Sequence, residues 1–173
     1  MTPHTLALAG LLAAGLALPA RAQTLAPPCL PPGGDLTSVA KFPGRCTRAL
    51  HEGVDRTAIC GGTVTAVGYR GGRSGLAFEL AAGAAVTFTG REAQADGPVL
   101  KFKVDTLTAG KGAAPAKSTV KGACVLDATD KAAARIACAV PEAGRETRYE
   151  FVATGKPEHW KTCPAPEARP AAP

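Results

Sequence analysis

A chain of 173 residues with 46% apolar side chains, 20% charged side chains and a formal net charge of +6 fits one globular domain. That balance excludes an acidic disordered tail, a coiled coil and a collagen repeat. Aromatic residues make up only 5%, against 20 Gly and 15 Pro, and much of the apolar fraction is Ala, which adds little burial per position.

Residues 1–22 read as an export signal. The run from Leu6 to Leu18 holds only Leu, Ala and Gly, Pro19 breaks it, and Ala20-Arg21-Ala22 supplies the small-x-small pattern for cleavage after Ala22. A run of 13 such residues is too short to cross about 30 Å of hydrocarbon, so no membrane span is expected. The segment 23–36 is a Pro-rich leader. The β-domain is expected over 37–163, and 164–173 (PAPEARPAAP) is a Pro/Ala tail with the composition of a disordered segment. After cleavage the net charge is +5. Its bases are scattered without aromatic interleaving, which argues against nucleic acid as a partner.

Within the domain the dominant signal is period-2 alternation punctuated by Gly. Strands are expected at Arg45–Leu50, Ala58–Gly68, around Leu76, Phe78 and Leu80, at Val86–Thr89, Leu100–Asp105, Ser118–Asp127 and Ala134–Val140, and around Tyr149 and Phe151. In the fifth of these, Leu100, Phe102 and Val104 fall on one face and Lys101, Lys103 and Asp105 on the other. Turns are expected at His51–Asp55, Gly71-Gly72, Gly83, Asp96-Gly97-Pro98, Ala128–Lys131 and Gly144, with a mobile loop over Ala109–Lys117. Only Asp130–Arg135 leans helical. The fold class is therefore all-β: about eight short antiparallel strands in a small, disulfide-stapled barrel or sandwich.

Six cysteines in an exported chain favour a disulfide framework, although six allow 15 pairings. Cys46 and Cys60 have 13 residues between them, and so do Cys124 and Cys138. Each pair brackets a turn, so folding either segment as a hairpin sets its cysteines opposite one another. Cys29 and Cys163 then join the two ends of the domain. Metal ligation needs CxxC pairs or His at ligand spacing, and neither is present. No cofactor is expected.

The order GRC…C, YRGGRSGLAFEL, AAVTFTG, GAC…C and YEFVATG over Gly44 to Gly155 resembles a set of uncharacterised small secreted β-rich proteins of Gram-negative bacteria. The resemblance implies export and β structure, and it carries over no catalytic residue.

No enzyme is expected. Gly72-Arg73-Ser74-Gly75 lacks the spacing of a nucleophile elbow and reads as a hairpin turn. Glu79 and Asp105 sit on polar strand faces, where solvated charge is usual. The candidate binding residues are Arg73, Lys101, Lys103 and Arg148, which form a basic patch if their strands are neighbours, and Trp160, read first as a plug over the barrel end and second as an exposed anchor. The expected function is that of a periplasmic or secreted monomer binding an envelope protein or an anionic polymer. The alternative is a carrier holding a small apolar ligand within a barrel.

Overall fold

In the computed structural model the structure describes residues 29–30, 35–112, 114–130, 132–142 and 145–163. The expected signal (1–22), most of the leader, the turn residue Gly144 and the tail (164–173) lie outside these. The strands are β1 (Leu36–His51), β2 (Val54–Asp55), β3 (Cys60–Tyr69), β4 (Arg73–Leu80), β5 (Ala84–Asp96), β6 (Val99–Lys111), β7 (Ala116–Asp127), β8 (Arg135–Glu142), β9 (Arg145–Ala153) and β10 (Glu158–Lys161). Among the described residues no helix is long and apolar enough to cross a membrane.

The order β1-β3-β4-β5-β6-β7-β8-β9 is an antiparallel meander, and β9 pairs back onto β1. This is a closed eight-stranded barrel, which removes the unpaired edges an open sheet would present. Closure depends on the length of β1. Its first half, Leu36–Pro43, pairs with β3, while Gly44–Leu50 pairs with β9. β10 occupies the free edge of the first half at Ser38–Lys41.

Alternation decides which residues enter the barrel. In β9 the buried positions are Thr147, Tyr149, Phe151 and Ala153. The register then links Phe102, Cys124, Cys138, Tyr149 and Ala49 across five strands of the interior. All five phenylalanines are buried. At the centre, Phe78, Phe88 and Tyr149 form a triangle with ring centroids 5.1 to 5.7 Å apart, within the range of favourable aromatic packing. Thr147 Oγ1 accepts a hydrogen bond from the Glu52 N–H at 3.0 Å, whereas the Tyr149 hydroxyl and His51 Nδ1 are buried without a partner among the described residues.

The three disulfides are Cys29–Cys163, Cys46–Cys60 and Cys124–Cys138, the pairing the spacing favours. They point to an oxidising, extracytoplasmic environment. Leu30 bridges Thr162, so the first bond fastens a piece of the leader beside the C-terminal end of the domain.

The structure corrects four local expectations. Ala109–Lys117 is not a long mobile loop: β6 runs to Lys111 and β7 starts at Ala116, with Ala85 paired to Gly110 and Ala109 to Ala116. The described residues of Asp130–Arg135 form no helix: Ala132 lies in a turn and Arg135 already belongs to β8. Arg73, Ser74 and Gly75 belong to β4, and the turn before them is carried by Gly71 and Gly72 at φ +79° and +73°. Gly90 does not end β5. A Cβ there would stand 1.8 Å from the Lys103 carbonyl oxygen, so the glycine permits a close strand contact and the strand continues to Asp96.

Candidate functional site

The outer wall formed by β4, β5, β6 and β7 carries most of the chemistry. The register places Arg73 opposite Arg91, and Arg91 opposite Lys103. Three cations on adjacent strands repel one another, and like charges set directly opposite destabilise a sheet. One acid answers them. Asp105 falls at a register shift in β6 and has no direct partner on β5 or β7. Its carboxylate accepts hydrogen bonds from both terminal nitrogens of Arg73, at 2.9 and 2.5 Å, and one from Thr106 Oγ1 at 2.8 Å. The bidentate fork bridges β4 to β6 over the glycine at position 90.

The Arg73 hydrogen bonds, then that from Thr106, hold the Asp105 carboxyl at about 2, below its ordinary 3.8, against a small opposing effect of burial. The same contact raises Arg73. A depressed carboxyl stabilises the folded state fully above pH 3.8 and loses that contribution as pH falls from 3.8 towards 2. The pair is partly solvated, with side-chain exposures of 31% and 45%, so its contribution is about 0.5–1 kcal/mol. Arg73→Met should therefore lower stability by that amount at neutral pH and flatten the acid limb between pH 4 and 2. Urea denaturation at a series of pH values checks both; an unchanged acid limb would show that Asp105 gains nothing from Arg73.

The other cations of this wall, Arg91, Lys101, Lys103, Lys117 and Lys121, form no ion pair among the described residues. Between them lies a band of hydroxyls. Thr89, Thr106 and Thr119 lie opposite one another across β5, β6 and β7, and Thr87 lies opposite Thr108, which faces Lys117. Tyr69, Arg73, Thr89, Asp105, Thr106, Thr108 and Lys117 line an open groove of about 480 Å³. The Tyr69 ring closes one end. Its Cε2 comes within 3.4 Å of the space a side chain would fill at position 75, so the ring packs beside the bare backbone of Gly75. Burial pushes the Tyr69 hydroxyl up, opposed first by the Arg73 charge and then by the Thr89 side chain.

Of the basic residues singled out in the sequence, Arg73, Lys101 and Lys103 share this wall, but Arg148 does not. It lies on β9, separated from Lys103 by Ala123 and Ala139 in the register. Glu150 at 2.6 Å and Glu146 at 3.6 Å flank its guanidinium, so its charge is already matched. Arg148 thus stands apart from the other three because β7 and β8 lie between β6 and β9. Trp160 is also elsewhere. It pairs with Val39 in the β10–β1 ladder and lies under the Lys41 ammonium, 5.5 Å from its ring centroid. Because Phe42 and Ala40 point inward, Val39, Lys41 and Trp160 share the outer face. β10 adds to an edge of β1, and Trp160 there also lines a cleft at the barrel end together with Leu76, Leu100 and Phe102.

Arg91, Tyr69 and the threonine band escaped the sequence reading. Thr at alternate positions of Val86–Thr89 was a signal for the band. Arg91 was hidden by taking Gly90 as a strand end.

Among the described residues no group of three or more His, Cys, Asp or Glu is placed to hold a metal ion. Comparison with known proteins finds no family model, curated protein or solved structure that matches this chain.

Proposed function

We infer that the chain is an exported, non-enzymatic binding domain that holds an anionic polymer of the cell envelope against the outer wall of β4 to β7. One observation carries this reading: Arg91 and Lys103 stand directly opposite each other, with Arg73 beyond, and among the described residues of this row only Arg73 forms an ion pair, Arg91 acting on the same Asp105 carboxylate at longer range. A sheet stabilised for its own sake would interleave acids there. An anion lying across the strands removes the repulsion, and Arg91, Lys101 and Lys103 offer it a continuous row of donors. Three disulfides suit the periplasm or the extracellular medium, where such polymers occur. A filled interior argues against the carrier reading. Phe78, Phe88, Phe102, Phe151 and Tyr149 occupy the middle of the barrel, leaving a cleft of about 180 Å³ at the end near Trp160.

The test is binding to immobilised polyanions at low salt. The double variant Arg91→Glu/Lys103→Glu should bind at least about tenfold more weakly, a change of about 1.4 kcal/mol. Arg148→Gln should bind as the parent does, because two glutamates already neutralise that side chain. Raising ionic strength from about 0.01 to 0.15 M should weaken the parent's binding as the screening length contracts from about 30 to 8 Å. Undiminished binding by the double variant would overturn the reading.

A further inference from the structure

We propose that the groove beside Tyr69 takes an acidic polysaccharide, a chain of sugars bearing carboxylate or sulfate groups, rather than a polyanion without hydroxyls. The proposal rests on the basic-wall reading above and specifies its ligand. Lysine and arginine only donate hydrogen bonds, so a wall of cations alone suits any acceptor-rich polyanion equally. This groove differs. Thr89, Thr106 and Thr108 line it and Thr119 adjoins them on β7, and each hydroxyl both donates and accepts. The Asp105 carboxylate adds acceptor capacity beside the Arg73 fork.

Sugar hydroxyls also donate and accept, so they satisfy such a band from both sides. A polyphosphate presents only acceptors to it, and an acidic peptide offers one backbone N–H per residue among several acceptors, so both match the threonine lone pairs less fully than a glycan does. Geometry supports the same ligand. Thr89, Thr106 and Thr119 lie in register on three neighbouring strands, spaced by the sheet's own repeat of about 4.8 Å, a distance close to one sugar unit. A glycan running across the strands therefore meets one hydroxyl per residue. Tyr69 offers an aromatic ring at the groove's end, on which the C–H face of a sugar can pack, beside Thr89 in the same groove. Arg91 and Lys103, one register step away, receive the acidic substituents.

The experiment compares polygalacturonate, heparin, polyglutamate and dextran by titration calorimetry at low salt, with polyanions matched for charge. The parent should bind at least one of the two acidic glycans about tenfold more tightly than polyglutamate, and dextran weakest of all; which glycan is preferred assigns carboxylate or sulfate. Thr108→Val/Thr119→Val conserves side-chain shape and should weaken the preferred glycan about tenfold while leaving polyglutamate unchanged. Tyr69→Ala should act in the same way, its fold checked by circular dichroism. Equal affinity for polyglutamate and both acidic glycans overturns the glycan groove, as does a Thr108→Val/Thr119→Val variant that keeps its glycan affinity. Those results leave the basic wall standing. Arg91→Glu/Lys103→Glu distinguishes the two failures: if it leaves every polyanion bound as before, the wall itself is not the site. Dextran binding as tightly as the acidic glycans also overturns the proposal, because charge would then play no part.

Discussion

Replacing Tyr149 by Ala should lower stability by about 3–5 kcal/mol, whereas replacing it by Phe should raise stability by about 1 kcal/mol. Tyr149 has no exposed surface and closes the aromatic triangle with Phe78 and Phe88. Truncation leaves a void among side chains on β4, β5 and β9 that cannot collapse inward, because barrel closure fixes the strand spacing. Its hydroxyl, by contrast, was taken out of water and has no partner among the described residues, so removing it relieves a desolvation cost. An independent signature comes from pH. Burial raises this hydroxyl from 10.0 to about 12. Because the buried hydroxyl resists ionisation that the unfolded chain allows, the folded state keeps its stability below pH 10 and loses part of it as pH climbs from 10 to 12. Tyr149→Phe should therefore show a shallower alkaline decline than the parent, with the remainder due in part to Tyr69, which shifts the same way. Denaturant midpoints at pH 8 and pH 11 read both effects. A destabilised Tyr149→Phe at pH 8 would show that the hydroxyl has a partner in solution.

How far these features were legible follows from what alternation can encode. Leu100, Phe102 and Val104 against Lys101, Lys103 and Asp105 gave the inner and outer faces of β6 directly, since a period of two is a local property. Cysteine spacing was equally local for Cys46–Cys60 and Cys124–Cys138. The first half of β1 was not legible, because Ser38, Ala40 and Pro43 lack an apolar rhythm, yet that half pairs with β3 and β10 and leaves Gly44–Leu50 to close the barrel on β9. Gly110, Gly112 and Pro115 suggested a loop where cross-strand pairing holds most of the segment in β6 and β7. The site needed still more. Facing direction can be read along one strand, but Arg73, Arg91 and Lys103 become a cluster only through the order of β4, β5 and β6. The same order separates Arg148 from them. Asp105 becomes the acid of the cluster through a register shift that no spacing announces.

Loss of the Cys124–Cys138 bond should cost more than loss of Cys46–Cys60, although the two close loops of equal length, with a sequence separation of 14 in each. In the chain-entropy model either loop contributes about 3 kcal/mol, so any difference must come from the folded state. Cys124 and Cys138 are 0% and 1% exposed and lie opposite each other inside the barrel, between Phe102 and Tyr149. Cys46 and Cys60 are half-buried beside the core. Cys124→Ala/Cys138→Ala therefore also removes two buried sulfurs from a packed interior, adding about 1–2 kcal/mol of lost contact and cavity. The total, about 4–5 kcal/mol, approaches the whole stability of a small domain. Cys46→Ala/Cys60→Ala should stay near 3 kcal/mol and leave a folded barrel. Denaturant unfolding of the two double variants measures the difference, and equal losses would mean that the interior repacks around the missing sulfurs. Accessibility gives the same ranking by another route. A thiolate must reach a sulfur to exchange with it, so mild reductant followed by alkylation should open Cys46–Cys60 while Cys124–Cys138 stays intact until the barrel unfolds. A barrel with only eight aromatic side chains in its entire sequence thus uses one disulfide as core and another as a staple on its rim.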